Sequence, residues 1–98
     1  MNENELTNEI VKLLRRCGVW CYRTHRPIFP PPPENAGIAD IAGIYDFRPL
    51  YIEVKGPRTK IKPEQITFGE NVKERGGIWF IAQSFEDVIR ELDLPVLF

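Results

Sequence analysis

The chain has 98 residues, enough for one domain with a small core and no room for a second. Its hydrophobic share of 43% and charged share of 28% exclude a disordered chain. The apolar runs are far too short to cross a bilayer, and the polar, acidic N-terminus is unlike a signal peptide, so the expected location is the cytoplasm. The net charge of −1 points to no partner, but its distribution is uneven. Residues 12–62 hold ten Lys and Arg against four Asp and Glu, a local charge of +6, and the flanks are acidic. Basic residues pooled in the middle of a near-neutral chain suit a polyanionic partner, and equally suit a solvated basic face.

Residues 5–17 predict a helix, because Leu6, Ile10, Leu13, Leu14 and Cys17 recur at helical spacing and Gly18 stops the run. Residues 19–24 alternate Val19, Cys21 and Arg23 against Trp20, Tyr22 and Thr24, which predicts a strand. The prolines at 27 and 30–33 then favour a stiff, extended connection that cannot join a sheet interior. Residues 38–45 predict the next strand. A turn over Asp46-Phe47-Arg48-Pro49 leads into a third, residues 50–55, and the two form a hairpin. A basic loop, 56–62, precedes a helix that starts at Pro63 and runs to about Arg75, before Gly76-Gly77. The apolar run 78–82 predicts a buried strand. Ser84 with Asp87 opens a last helix over 85–92. The tail 94–98 is apolar and suits an edge strand or a dimer contact. The order is α-β-β-β-α-β-α, which predicts an α/β fold with a mixed β-sheet flanked by helices. Cys17 and Cys21 read as reduced core thiols. With His25 they are four apart, but a second ligand pair for zinc is missing.

Chemistry concentrates in the hairpin. Along 50–55, strand alternation sends Leu50, Ile52 and Val54 to one face and Tyr51, Glu53 and Lys55 to the other. Glu-x-Lys alone is a common surface pair on strands. Asp40, in the apolar stretch Gly37-Ile38-Ala39-Asp40-Ile41-Ala42-Gly43, strengthens the signal, because a carboxylate there needs a partner. Two carboxylates and a lysine at one sheet edge can hold a hard divalent cation against a phosphate ester. Gln65, early in the following helix, is close enough in sequence to reach the same cleft.

Gly37-Ile38-Ala39-Asp40, then Ile52-Glu53-Val54-Lys55, then Pro63-Glu64-Gln65 resembles the PD-(D/E)xK nuclease superfamily. Within it the chain looks like the small stand-alone VRR-NUC domains of phage and bacteria. The likeness spans nearly the whole chain, with Ala39 where the superfamily name has Pro. The resemblance implies a restriction-endonuclease-like core and a Mg2+- or Mn2+-dependent DNA endonuclease in a bacterial or phage-infected cell. Asp40, Glu53 and the Val54 carbonyl would hold the cation, Lys55 would orient or activate the attacking water, and Gln65 would position water or phosphate. A first-helix Glu completes the site in many relatives. Glu9 is the first choice here and Glu5 the second, although counting back from Gly18 places the position nearer Thr7. Arg58, Lys60 and Lys62, with Arg23, His25 and Arg26 at the other end of the cleft, are candidate phosphate contacts. The implied substrate is branched DNA such as a Holliday junction, cut by a homodimer. The rivals are a nuclease for flaps, nicks or duplex ends, and a nucleic-acid-binding module that does not cut.

Overall fold

A computed structural model describes residues 1–24 and 37–95. The proline run, His25, Arg26 and the end of the apolar tail lie outside the described residues. The elements are α1 (Glu3–Arg16), β1 (Trp20–Arg23), β2 (Ile41–Tyr45), β3 (Arg48–Val54), α2 (Pro63–Glu74), β4 (Ile78–Ala82) and α3 (Phe85–Leu92). Their order is the one the sequence predicts. Several boundaries differ, among them that of α1, which starts at Glu3 instead of residue 5, and two of the differences lie at the hairpin. Asp40 falls just before β2 instead of inside it, and β3 starts at Arg48, so the turn is shorter than predicted. Asp46 and Phe47 alone make that turn, both at positive φ (52° and 64°). This is the backbone of a two-residue hairpin whose twist matches the flanking strands.

The four described strands form one sheet in the order β1-β2-β3-β4. β1, β2 and β3 are antiparallel neighbours, and β4 runs parallel to β3. A parallel neighbour cannot be reached by a hairpin, so the chain must cross over the sheet, and α2 is that crossover. α2 lies over β3 and β4, while α1 and α3 cover the opposite face. Among the described elements the sheet is therefore sandwiched on its β3–β4 side, and helices cover one face of β1 and β2.

The core follows from strand alternation. Leu50, Ile52 and Val54 of β3 meet Ile10 and Leu14 of α1 and Val88 of α3, all 2% exposed or less. Each such side chain contributes about 1.5–3 kcal/mol relative to exposure. Val19 and Cys21 point into this layer, whereas Trp20 and Tyr22 face out, as the alternation predicts. Both cysteines are free thiols. α3 is capped at each end: Ser84 Oγ accepts from Asp87 N–H at 3.2 Å, and the Tyr45 hydroxyl donates to the Leu92 carbonyl at 2.9 Å. Asp87 answers one residue earlier than a standard capping box, accepting from Gln83 N–H at 2.8 Å.

On the other face α2 sits so close to β4 that Gly69 has no room for a side chain. A Cβ there would overlap the Trp79 indole. Alanine in place of glycine inside a helix ordinarily stabilises by about 1 kcal/mol. Here overlap with a packed ring outweighs that gain. Gly69→Ala is expected to destabilise the fold by about 1–2 kcal/mol in urea unfolding. A stabilised variant would mean that α2 stands further from the sheet.

Candidate active site

The site forms where β3 outruns β2. The last residue pair between them is Ile41 with Ile52, so Asp40 stands opposite Glu53 and Val54 has no backbone partner on that side. The Asp40 side chain supplies the missing acceptor: Oδ2 takes the Val54 N–H at 2.8 Å. The next N–H, that of Lys55, turns the other way and donates to the Ala82 carbonyl of β4 at 3.0 Å. A strand residue's N–H and C=O point to the same side, so the Val54 carbonyl also faces the Asp40 side.

Glu53 lies on the face beneath α2, with Lys55 beside it, and the two are 3% and 7% exposed. The Lys55 ammonium is 3.6 Å from Glu53 Oε2. Gln65 Nε2 donates to the same oxygen at 3.1 Å. Its carboxamide oxygen accepts from Lys62 N–H at 2.8 Å, in half of a capping box that fixes which way the amide points. Gln65 thus caps α2 and reads Glu53 with one side chain. The approach of α2 depends on Gly37, which has φ of +77° and packs directly against the Glu64 backbone. That contact ties the segment leading to Asp40 to the helix turn that carries Gln65.

Burial pushes the Glu53 carboxyl up from its usual 4.5 to about 8, a hydrogen bond and the charge of Asp40 push the same way, and Lys55 opposes them. At neutral pH, with no cation present, Glu53 holds a proton. Once that proton is lost, its Oε1 is a buried oxygen with no donor to accept from. An unpaired buried oxygen beside a second carboxylate is costly, and a divalent cation between them would remove that cost. Among the described residues no three His, Cys, Asp or Glu side chains cluster as a metal site. A donor set of two carboxylates, one carbonyl and water suits Mg2+ or Mn2+, which keep several waters, better than a closed zinc or calcium cage.

The first-helix acids fall elsewhere than expected. Glu9 is on the outer side of α1, where it pairs with Lys12 at 3.2 Å, and Glu5 is exposed. The acid that reaches the site is Glu3, which the sequence reading missed. Its Oε1 accepts from Gly56 N–H at 2.7 Å. Thr59 and this N–H hold the Glu3 carboxyl below its ordinary range, and Lys55 adds to the effect. Thr7 is 2% exposed and its hydroxyl donates to the Glu3 carbonyl at 2.7 Å, so the two share the inner side of α1. One turn back from the position that counting from Gly18 selected lies Glu3, on the same helix face.

Of the candidate phosphate contacts, Arg58, Lys60 and Lys62 are exposed in the loop that leaves the site. Arg23 turns to the other face, where it donates to Asn4 at 2.7 Å and Asn8 at 2.9 Å. It helps to fix α1 against β1 and does not face the carboxylates.

The chain matches no family model, and no curated protein matches it in sequence. No helix among the described residues is long and apolar enough to cross a membrane.

Proposed function

We propose that the protein is a metal-dependent DNA endonuclease of the PD-(D/E)xK type, similar to the stand-alone VRR-NUC domains, that cuts branched DNA as a homodimer. The observation that carries this reading is the convergence of Asp40, Glu53, Lys55 and Gln65 at one sheet edge, with Glu53 Oε1 buried and unpartnered. Asp40, Glu53 and the Val54 carbonyl would hold Mg2+ or Mn2+. The bound cation would lower the pKa of a water and neutralise charge developing on the phosphate. Lys55, fixed by its backbone bond to β4, would face the attacking water and the phosphate oxygens with a positive charge. Gln65 holds Glu53 Oε2 in place, so that the other oxygen stays aimed at the cation. Arg58, Lys60 and Lys62 give a strand's phosphates a basic exit path without reading bases. Two sites related by a two-fold axis would meet two strands of a junction.

The test is cleavage of labelled linear duplex, flap and four-way-junction DNA in Mg2+, Mn2+ or EDTA. Cation-dependent cutting is expected, fastest on the junction. Asp40→Ala and Lys55→Ala should each reduce it by about 100-fold or more. Binding without cutting in every metal would leave a recognition module and end the nuclease reading. Equal cutting of all shapes would remove the preference for junctions.

A further inference from the structure

The geometry points to an aromatic platform on β1, Trp20 with Tyr22, that stacks unpaired bases of the strand engaged at the carboxylates. This rests on the nuclease reading for which strand is bound, but it is carried by a separate surface. In register, Tyr22 lies beside Ala42 and Tyr51, and Trp20 beside Ile44 and Pro49. The row ahead of these holds Thr24, Asp40 and Glu53: Thr24 N–H donates to the Asp40 carbonyl at 2.9 Å, and Asp40 stands opposite Glu53. Residues two apart on a strand share a face. The aromatic rows and the carboxylate row therefore lie on the same side of the sheet, each about 7 Å from the next.

Among the described elements α2 packs on β3 and β4 on this side, so β1 and β2 form the floor of a trough with α2 as its wall, the small Ala42 being buried at 4% between its larger neighbours. Trp20 is 64% exposed, Tyr22 46% and Ile44 53%. The Trp20 and Tyr22 rings meet edge to face, 5.4 Å between centroids and 69° between planes. In such a pair the edge of one ring covers part of one face of the other, and the exposed remainder of both rings is what a base can stack on. The floor positions Trp20, Tyr22, Ala42, Ile44, Pro49 and Tyr51 carry no charge, and the basic loop of Arg58, Lys60 and Lys62 adjoins the carboxylate end. Arg15 stands at the outer edge of β1, in a shallow hollow with Trp20. Its guanidinium donates to the Cys21 carbonyl at 3.2 and 3.1 Å. Arg15 is thus held in place, with its charge beside the platform. It also blocks the edge of β1 against pairing with another strand. Aromatic rings on an open sheet face, flanked by fixed cations, bind unstacked bases and reject a closed duplex, whose ring faces are already stacked.

The substrate would therefore carry unpaired nucleotides next to the scissile phosphate, as at an opened branch point. The experiment is binding in EDTA, with no cutting, of a labelled single-stranded oligonucleotide and a blunt duplex of the same length. Trp20→Ala and Tyr22→Ala should each weaken single-strand binding by roughly tenfold, and Trp20→Phe should largely restore it. Duplex binding should change by less than about twofold. Unchanged single-strand affinity in both alanine variants would overturn the platform, even if the wild type cuts DNA. Normal stacking behaviour in a protein that cuts nothing would keep the platform and end the nuclease reading. A wild-type dimer in sedimentation that Trp20→Ala converts to a monomer would assign this face to a second copy of the chain and overturn the platform.

Discussion

Glu53→Gln should stabilise the cation-free protein while reducing cleavage by about 100- to 1,000-fold. The two effects have one origin. In the folded state the Glu53 carboxyl titrates at about 8 instead of 4.5. Between those values the folded chain binds a proton that the unfolded chain has released. Stability therefore falls as pH rises through that window, and the fall ends near the folded value. Glutamine keeps the shape, accepts the bond from Gln65 and never ionises, so its contribution does not change with pH. Thermal melts in EDTA from about pH 5 to about pH 9 should diverge, with the wild type losing ground toward the alkaline end. Glu3 and Asp87 have lowered values, so their contribution is lost in acid, below this window. Cys21 is raised from 9.0, above it. Cation binding must displace the Glu53 proton, so apparent affinity should rise about tenfold per pH unit and level off near pH 8. Calorimetry in two buffers of different ionisation enthalpy would count the proton. A wild-type melting curve parallel to that of Glu53→Gln would show that Glu53 does not carry this proton.

What was legible in the sequence is what local pattern decides. The element order was legible because hydrophobic period and glycine or proline stops agree along the chain. The alternation of β3 placed Glu53 and Lys55 together on one face correctly. It did not reveal that this face is buried, because burial comes from α2, and α2 lies there only because β4 is parallel to β3. Asp40 was legible as a carboxylate needing a partner. Its partner, the Val54 N–H left over where β2 ends, depends on a register that no local pattern encodes. Glu3 was missed because its role is set by a contact across 53 positions, to Gly56. Helical periodicity orders residues around α1 but does not say which turn of the helix reaches the end of β3. Arg23 was grouped with the basic residues of the cleft. Its own alternation with Val19 and Cys21 already placed it on the α1 side.

Gly37→Ala should destabilise the fold by about 2–4 kcal/mol, a large share of the stability of a small domain. Two effects add. The position has φ of +77°, where an L side chain is strained, and a Cβ would overlap the backbone carbonyl of Glu64. Unlike a flexible side-chain tip, that carbonyl cannot move without moving the first turn of α2. The segment holding Asp40 and the turn holding Gln65 must then separate, although neither residue is altered. A displacement of about 1 Å at reacting groups costs roughly 100-fold in rate. Cleavage at a temperature where the variant is fully folded should therefore fall far more than its fold population. Gly18→Ala is the control. Gly18 also has positive φ, +81°, but nothing lies within 4 Å of where its Cβ would stand. It should lose only the conformational part, about 1–2 kcal/mol, and keep its cleavage rate. Equal rate losses in the two variants would make backbone strain the whole cause and would detach Gly37 from the site. A loss confined to Gly37→Ala would establish that the Gly-Ile-Ala-Asp stretch works as a unit, with its glycine holding α2 at the distance from which Gln65 reaches Glu53.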